Sequence, residues 1–235
     1  MKFRGYSPEA LGFFKKIAKN NNKIWFEKNK QSYLSFVMEP SRLLVEDLNE
    51  SKVFQKNELR CLEKTPLFRL NRDVRFSSDK SPYKNHNGIV LSRSGKRKEN
   101  GVFYFHLEPK ESFFAMGFWQ PDSRLLTRFR LWVVENPMNA KKLMKELKKH
   151  SLVFHQEDSL KRAPRGYEHI SDNELMDLLK MKHWIVSQNL KDKDLESPKL
   201  IKVAEQFCEK AGVLLKALNP IYDRYRIENP ESVDA

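Results

Sequence analysis

The sequence predicts an α+β fold, with a central antiparallel sheet of about four or more strands packed by N- and C-terminal helices. Three observations carry that prediction. Residues 7–50 show apolar positions at helical spacing, and residues 66–119 switch to short alternating runs divided by turn formers. Helical spacing then returns over 121–220. A block of strands between two blocks of helices suits a sheet covered on one face, not a strand–helix alternation. With 40% hydrophobic and 11% aromatic residues the chain can bury a sizeable core. No repeat or linker-like stretch divides it, so one domain over 1–235 is expected, with a disordered tail at 228–235.

The first helix starts at Ser7-Pro8-Glu9, an N-cap followed by Pro at the first helical position. Leu11, Phe14, Ile17 and Ala18 share one face, and Asn20-Asn21-Asn22 ends the helix by competing for backbone hydrogen bonds. A second helix begins near Lys23, with Trp25, Phe26, Tyr33, Phe36 and Val37 as its apolar positions. Pro40 kinks it or opens a new turn before Leu43, Leu44 and Leu48. In the middle third, LFRLNRDVRF (67–76), IVLS (89–92), VFYFHL (102–107) and SFFAMGFW (112–119) read as strands. EPKE joins the last two as a hairpin loop, and the basic SRSGKRKENG precedes VFYFHL. Pro121-Asp122-Ser123 opens a helix lined by Leu125, Leu126, Phe129, Trp132 and Val133, and Asn136-Pro137 breaks it. A basic amphipathic helix follows at 138–150. SLVFH (151–155) reads as a short strand, Ser171 caps a helix around Leu175 and Leu178, and Ser197-Pro198 starts the last long helix.

The formal net charge is +13, and it is uneven. Residues 1–78 hold 16 Lys+Arg against 9 Asp+Glu, residues 79–157 hold 15 against 8, and residues 158–235 hold 13 against 14. A positive field over the first two thirds attracts anions, from small metabolites to nucleic acid. Cys61 and Cys208 have neither CxxC partners nor a nearby His, so both read as reduced, buried thiols. No run approaches the roughly 20 apolar residues that span a bilayer, and the N-terminus lacks a signal-peptide core. A cytoplasmic protein with no membrane partner is expected.

Within the basic region one stretch stands out, FRLNRDVRFSSDKSPYK (68–84). Five cations (Arg69, Arg72, Arg75, Lys80 and Lys84) surround only Asp73 and Asp79, leaving the stretch at +3. As a strand it sends Phe68, Leu70, Val74 and Phe76 to the core, and Arg69, Asp73 and Arg75 outward. Arg72 then falls on the apolar side, which calls for a bulge or bend there. As a turn of helix instead, Arg69, Arg72 and Arg75 line up at i, i+3 and i+6, and in either case at least two arginines project together. Adjacent guanidiniums repel unless an anion lies between them. Asp73 can be that anion, orienting the arginines, and the excess charge suits bidentate contact with a carboxylate or phosphate. Tyr83 can donate its hydroxyl to an anionic oxygen. An acid flanked by arginines has a lowered pKa and makes a poor base, so Asp73 reads as an orienting residue.

Arg69-x-x-Arg72-Asp73-x-Arg75-Phe76-x-x-x-Lys80-x-Pro82-Tyr83 resembles the signature of a widespread, mostly bacterial family known only as a domain of unknown function, number 2461. The likeness extends to Asn21-Asn22 before Trp25-Phe26, to Asn29-Lys30 and Tyr33, and to Lys161-Arg162-x-Pro164-Arg165-Gly166-Tyr167. It also takes in Leu178-Leu179-Lys180-x-Lys182. The resemblance implies one intact domain and marks the motif as a site. It implies no substrate, reaction or cofactor.

The turn at 161–167 is a second basic cluster, where Arg162 and Arg165 can converge on the first. The six histidines lack metal-ligand spacing, and no HExxH, CxxC or phosphate-binding glycine loop is present, so no metal site is predicted. The ligand-binding set expected from sequence is therefore Arg69, Arg72, Asp73, Arg75, Lys80, Tyr83, Arg162 and Arg165, acting on an anionic small molecule. Nucleic-acid binding is the alternative, through SRSGKRK, KKLMKELKKH and stacking by Phe103, Tyr104 and Trp119. A third reading is a structural or protein-interaction module whose Arg–Asp network is internal.

Overall fold

The computed structural model describes residues 2–230. Four antiparallel strands lie in the order β1-β2-β3-β4 and are accompanied by helices, giving the expected α+β class. The strands are β1 (Asn87–Leu91), β2 (Val102–Leu107), β3 (Phe113–Phe118) and β4 (Trp184–Asn189). The first three are the expected IVLS, VFYFHL and SFFAMGFW runs. The fourth is not LFRLNRDVRF but WIVSQN, which follows a short helix.

LFRLNRDVRF fails as a strand where its parity fails. Leu67 and Asn71 make isolated bridges to Ile89 and Tyr83, and the chain then bends away. Leu70 is buried, but Phe76, expected in the core, is 96% exposed. The Asp73 carboxylate accepts from Arg75 N (3.3 Å), a local turn bond that replaces a ladder bond. SLVFH contributes only one bridge, Phe154 to Val186.

Helix α1 (Pro8–Lys19) has Ser7 at the N-cap position and Pro8 at its first, as the sequence reads. The Asn22 side chain caps α2 (Lys23–Tyr33) by accepting from Trp25 N. A π-turn at Leu34–Met38 joins α2 to α3 (Glu39–Glu50), with Glu39 N–H donating to Leu34 O five residues back. The wider turn sits next to Pro40, which has no N–H for an ordinary helical bond. A short α4 (Lys52–Lys56) follows. Asp122 caps α5 (Ser123–Glu135), Asn136-Pro137 separates it from α6 (Pro137–Lys149), and Asp172, one residue past the expected Ser171, caps α7 (Asn173–Lys180). The single turn α8 (Asp192–Leu195) precedes the long α9 (Lys199–Glu228). The expected tail lies outside the described residues from 231 onward.

The chain forms two compact units, each drawn from three stretches. The first takes residues up to Arg97, Phe103–Phe114 and Gln188–Phe207, and the second takes Lys98–Val102, Ala115–Ser187 and the chain from Cys208. The first unit's core is aromatic: Phe103 meets Phe54 at 4.9 Å and Phe114 at 5.2 Å, and Phe105 meets Tyr6 at 6.2 Å. Each such ring contributes roughly 1.5–3 kcal/mol by leaving water. In the second unit Phe129 lies between Phe118 (5.0 Å) and Trp184 (5.5 Å). Gly117, at φ +132°, lets the backbone of Trp184 close in, since a Cβ there would sit 2.0 Å from Trp184 O. Among the described residues no helix is long and apolar enough to cross a membrane.

Candidate functional site

The motif folds as a loop closed at its base. Arg72 N donates to Pro82 O and Lys84 N to Leu70 O, both at 2.9 Å, on either side of the Asn71–Tyr83 bridge. The Asn21 side chain completes that base. Its Oδ1 accepts from Tyr83 N (2.9 Å) and its Nδ2 donates to Tyr83 O (2.8 Å), so the amide pairs with the loop as another strand would. Tyr83 is buried with its ring 4.5 Å from Phe26.

Inside the loop the charges pair locally. Arg75 forks onto Asp73 through Nε (3.0 Å) and Nη2 (2.7 Å). Arg72 pairs with Asp79 and reaches Ser77 Oγ at 3.4 Å. Lys80 donates to Val74 O at 3.0 Å. The Arg75 guanidinium holds Asp73 below the usual carboxylate range. Ser81, ahead of Arg72, holds Asp79 far below it. Asp73 is thus hydrogen-bonded to Arg75, with Arg69 acting on it through its field, and Asp79 is paired with Arg72.

Two cations stay outside this pairing. Arg69 is exposed, and its guanidinium makes no hydrogen bond or ion pair among the described residues. Lys84 is half-buried, its Nζ 5.8 Å over the Phe68 ring and likewise without a polar partner. Burial pushes the Lys84 ammonium pKa down, and the nearby Arg69 pushes it further. Lys84 lines an open cleft of about 430 Å³ with Arg72, Asp79, Ser81, Asn85 and His86, floored by Tyr83 and edged by Ala18 and Asn21.

His86 connects the cleft to a second polar cluster. Along β2, Phe103, Phe105 and Leu107 point into the core, so Tyr104 and His106 share the other face. Glu108 continues that parity. In the antiparallel register Asn87 faces Leu107 and Gly88 faces His106, so His86 falls opposite Glu108. Tyr104 Oη lies 3.0 Å from His106 Nδ1, and His106 Nε2 lies 2.9 Å from Glu108 Oε2. The His86 Nδ1 is 3.8 Å from the same Glu108 oxygen, and Asn85 Nδ2 donates to Glu108 Oε1 at 2.6 Å. The two imidazoles lie 4.6 Å apart, with Phe113 stacked on His106 at 4.7 Å. Gly88 makes room for this, because a Cβ there would come within 2.5 Å of the Tyr104 ring end. Burial, then His106, pushes His86 down to about 4, so its imidazole is neutral at neutral pH. Burial pushes the Tyr104 hydroxyl up to about 12, which keeps its proton in place.

Of the residues expected from sequence, Arg72 and Tyr83 line the cleft, while Arg69, Asp73, Arg75 and Lys80 lie along the loop. Arg162 and Arg165 belong to the second unit, both exposed, on a turn closed by Tyr167 N to Pro164 O (3.1 Å) and by Gly166 at φ +88°. Of the stacking candidates, Phe103 is wholly buried, Tyr104 is bonded to His106, and Trp119 stacks on His183 at 4.2 Å. Sequence reasoning missed Lys84 as a cleft residue and missed the His86, His106 and Glu108 cluster. The period-2 spacing of Tyr104, His106 and Glu108 was the available signal.

A family model described as "Conserved hypothetical protein (DUF2461)" matches residues 9–216, and the chain belongs to that family. No curated protein and no solved structure matches the chain.

Proposed function

We propose that the first unit binds a small anionic ligand, bearing phosphate or carboxylate, in the cleft at Arg72 and Lys84. The observation that carries this reading is Lys84, a half-buried ammonium beside Arg69 that makes no ion pair among the described residues, since Asp79 in the same cleft is paired with Arg72. A buried charge without a partner is costly, and an anion in the cleft would relieve both the desolvation and the repulsion. Arg72 supplies the directional part. Asp79 and Ser77 occupy part of its five-donor fork and fix its plane, leaving donors for a ligand oxygen. Ser81 and Asn85 add neutral polar groups around the same space. Arg75 and Lys80, held by Asp73 and Val74 O, contribute field rather than contact.

A thermal-shift screen at fixed ionic strength tests this. Phosphate, sulfate, carboxylates, nucleotides, sugar phosphates and short nucleic acids are run against wild type, Lys84→Met and Arg72→Ala. A ligand at 100 times its Kd adds about 2.7 kcal/mol, which is roughly 5–10 °C for a chain of this size. One compact anion should give such a shift in wild type and lose most of it in both variants. A shift produced only by nucleic acid, falling steeply with salt, would replace the pocket with an extended surface. If no anion shifts wild type, the reading is wrong.

A further inference from the structure

We propose that His86, His106 and Glu108 form a three-ligand site for one divalent transition metal ion of the zinc class. This site rests on geometry and is independent of the anion reading. The three side chains come from two adjacent strand segments whose register and parity place them together, and one donor atom from each lies within 4.8 Å of the others. Tetrahedral ligands at the usual zinc distances of about 2.0–2.1 Å sit about 3.3 Å from one another. Two edges, 2.9 Å from His106 Nε2 to Glu108 Oε2 and 3.8 Å from His86 Nδ1 to the same oxygen, lie on either side of that value, and the edge between the two imidazoles is within 4.8 Å. Closing the set brings the imidazoles together and moves His86 Nδ1 from Asn85 Oδ1, 3.2 Å away, onto the ion.

The surroundings supply what ligands of this kind need. A metal-bound imidazole is held by a partner on its other nitrogen, and Tyr104 Oη stands 3.0 Å from His106 Nδ1. With metal on Nε2, the Nδ1–H would face Tyr104 Oη, which accepts it. Asn85 Nδ2 fixes Glu108 Oε1 and leaves Oε2 for the ion. Phe113 holds the plane of His106 by stacking. Two imidazoles and one carboxylate are the mixed nitrogen–oxygen set that borderline metals prefer, and three ligands leave a fourth position open. His86 also lines the cleft, so that position would be filled from the cleft side by water or an anion.

The test uses the full chain, dialysed against chelator and then against metal-free buffer. Zn²⁺ alone is titrated by calorimetry, and Co²⁺ alone is followed by its visible absorption, which reports coordination number. The account expects one ion per chain with a tetrahedral or five-coordinate Co²⁺ spectrum. Glu108→Gln and His106→Ala should abolish saturable binding, and Tyr104→Phe should weaken it about tenfold. Circular dichroism of each metal-free variant shows whether it is folded. If His106→Ala unfolds, Glu108→Gln, which keeps the side chain's size and its bond from Asn85, decides the matter. Absence of saturable binding in wild type, or binding undiminished in a folded Glu108→Gln, overturns the proposal. An anion shift that persists in chelated wild type while Zn²⁺ fails to bind would sink this inference and leave the cleft reading intact.

Discussion

The loop at 69–81 and the strand face at 104–108 are two polar clusters of one unit, and they are built in opposite ways. The loop pairs its charges with near neighbours in sequence, Arg75 with Asp73 and Arg72 with Asp79, at side chains 28–76% exposed. The strand face links residues across a sheet register, at side chains 13% (His106) and 16% (Glu108) exposed. Exposed ion pairs contribute little to stability because water and salt screen them, whereas half-buried networks are costly to break. The residues richest in charge are therefore not those that hold the fold. What the loop offers is position: it is anchored at its base and carries Arg72 and Lys84 into the cleft.

This contrast can be broken from its strong end. Asn21→Ala removes both side-chain bonds to the Tyr83 backbone and leaves a partly buried N–H and C=O without partners. A loss of about 2–3 kcal/mol is expected in urea denaturation. A loss below about 0.5 kcal/mol would mean that the loop base is held by something else. Gly88→Ala should come next, at about 1–2 kcal/mol, because its Cβ must displace the Tyr104 ring. The same variant should detach Tyr104 from His106, visible as a change in the His106 ring signals by NMR. Tyr104→Phe keeps the ring and deletes one hydrogen bond, for about 1 kcal/mol.

The weak end sharpens the comparison. Arg75→Ala, at an exposed pair, should leave Tm within about 2 °C of wild type. A larger drop would return the loop to the role of an internal lattice. Asp79 gives the pH dependence. Its folded pKa is depressed, so its contribution is complete above the unfolded value of about 3.9 and is lost as pH falls through the folded one. Asp79→Asn should therefore shift stability at neutral pH and flatten the acid limb below pH ~4. An acid limb unchanged in Asp79→Asn would show that the Ser81 and Arg72 bonds do not hold the carboxylate in solution.

The same contrast explains what could be read from sequence. The loop's chemistry is local, so its Arg-rich composition, its turn formers and its likeness to a known family all marked it. Alternation alone suggests a strand for LFRLNRDVRF with Phe76 in the core, while Arg72 on the apolar side and the Asp73 turn bond end it. Asn21 falls within the family-like N-terminal pattern, but its pairing with Tyr83 spans 62 residues and leaves no local trace. His86 and Glu108 are 22 positions apart and meet only through the β1–β2 register. Strand β4 was missed because WIVSQN offers only three buried apolar residues, too short a run to stand out beside helix α7.

The most direct test of the account is calorimetric titration of the anion that shifts wild type most into wild type, Lys84→Met and Arg75→Ala. The account predicts saturable binding in wild type, at least a tenfold loss in Lys84→Met, which is about 1.4 kcal/mol, and near-wild-type affinity in Arg75→Ala. Equal binding in wild type and a folded Lys84→Met, or loss in Arg75→Ala alone, would contradict it and move the ligand from the cleft to the outer loop.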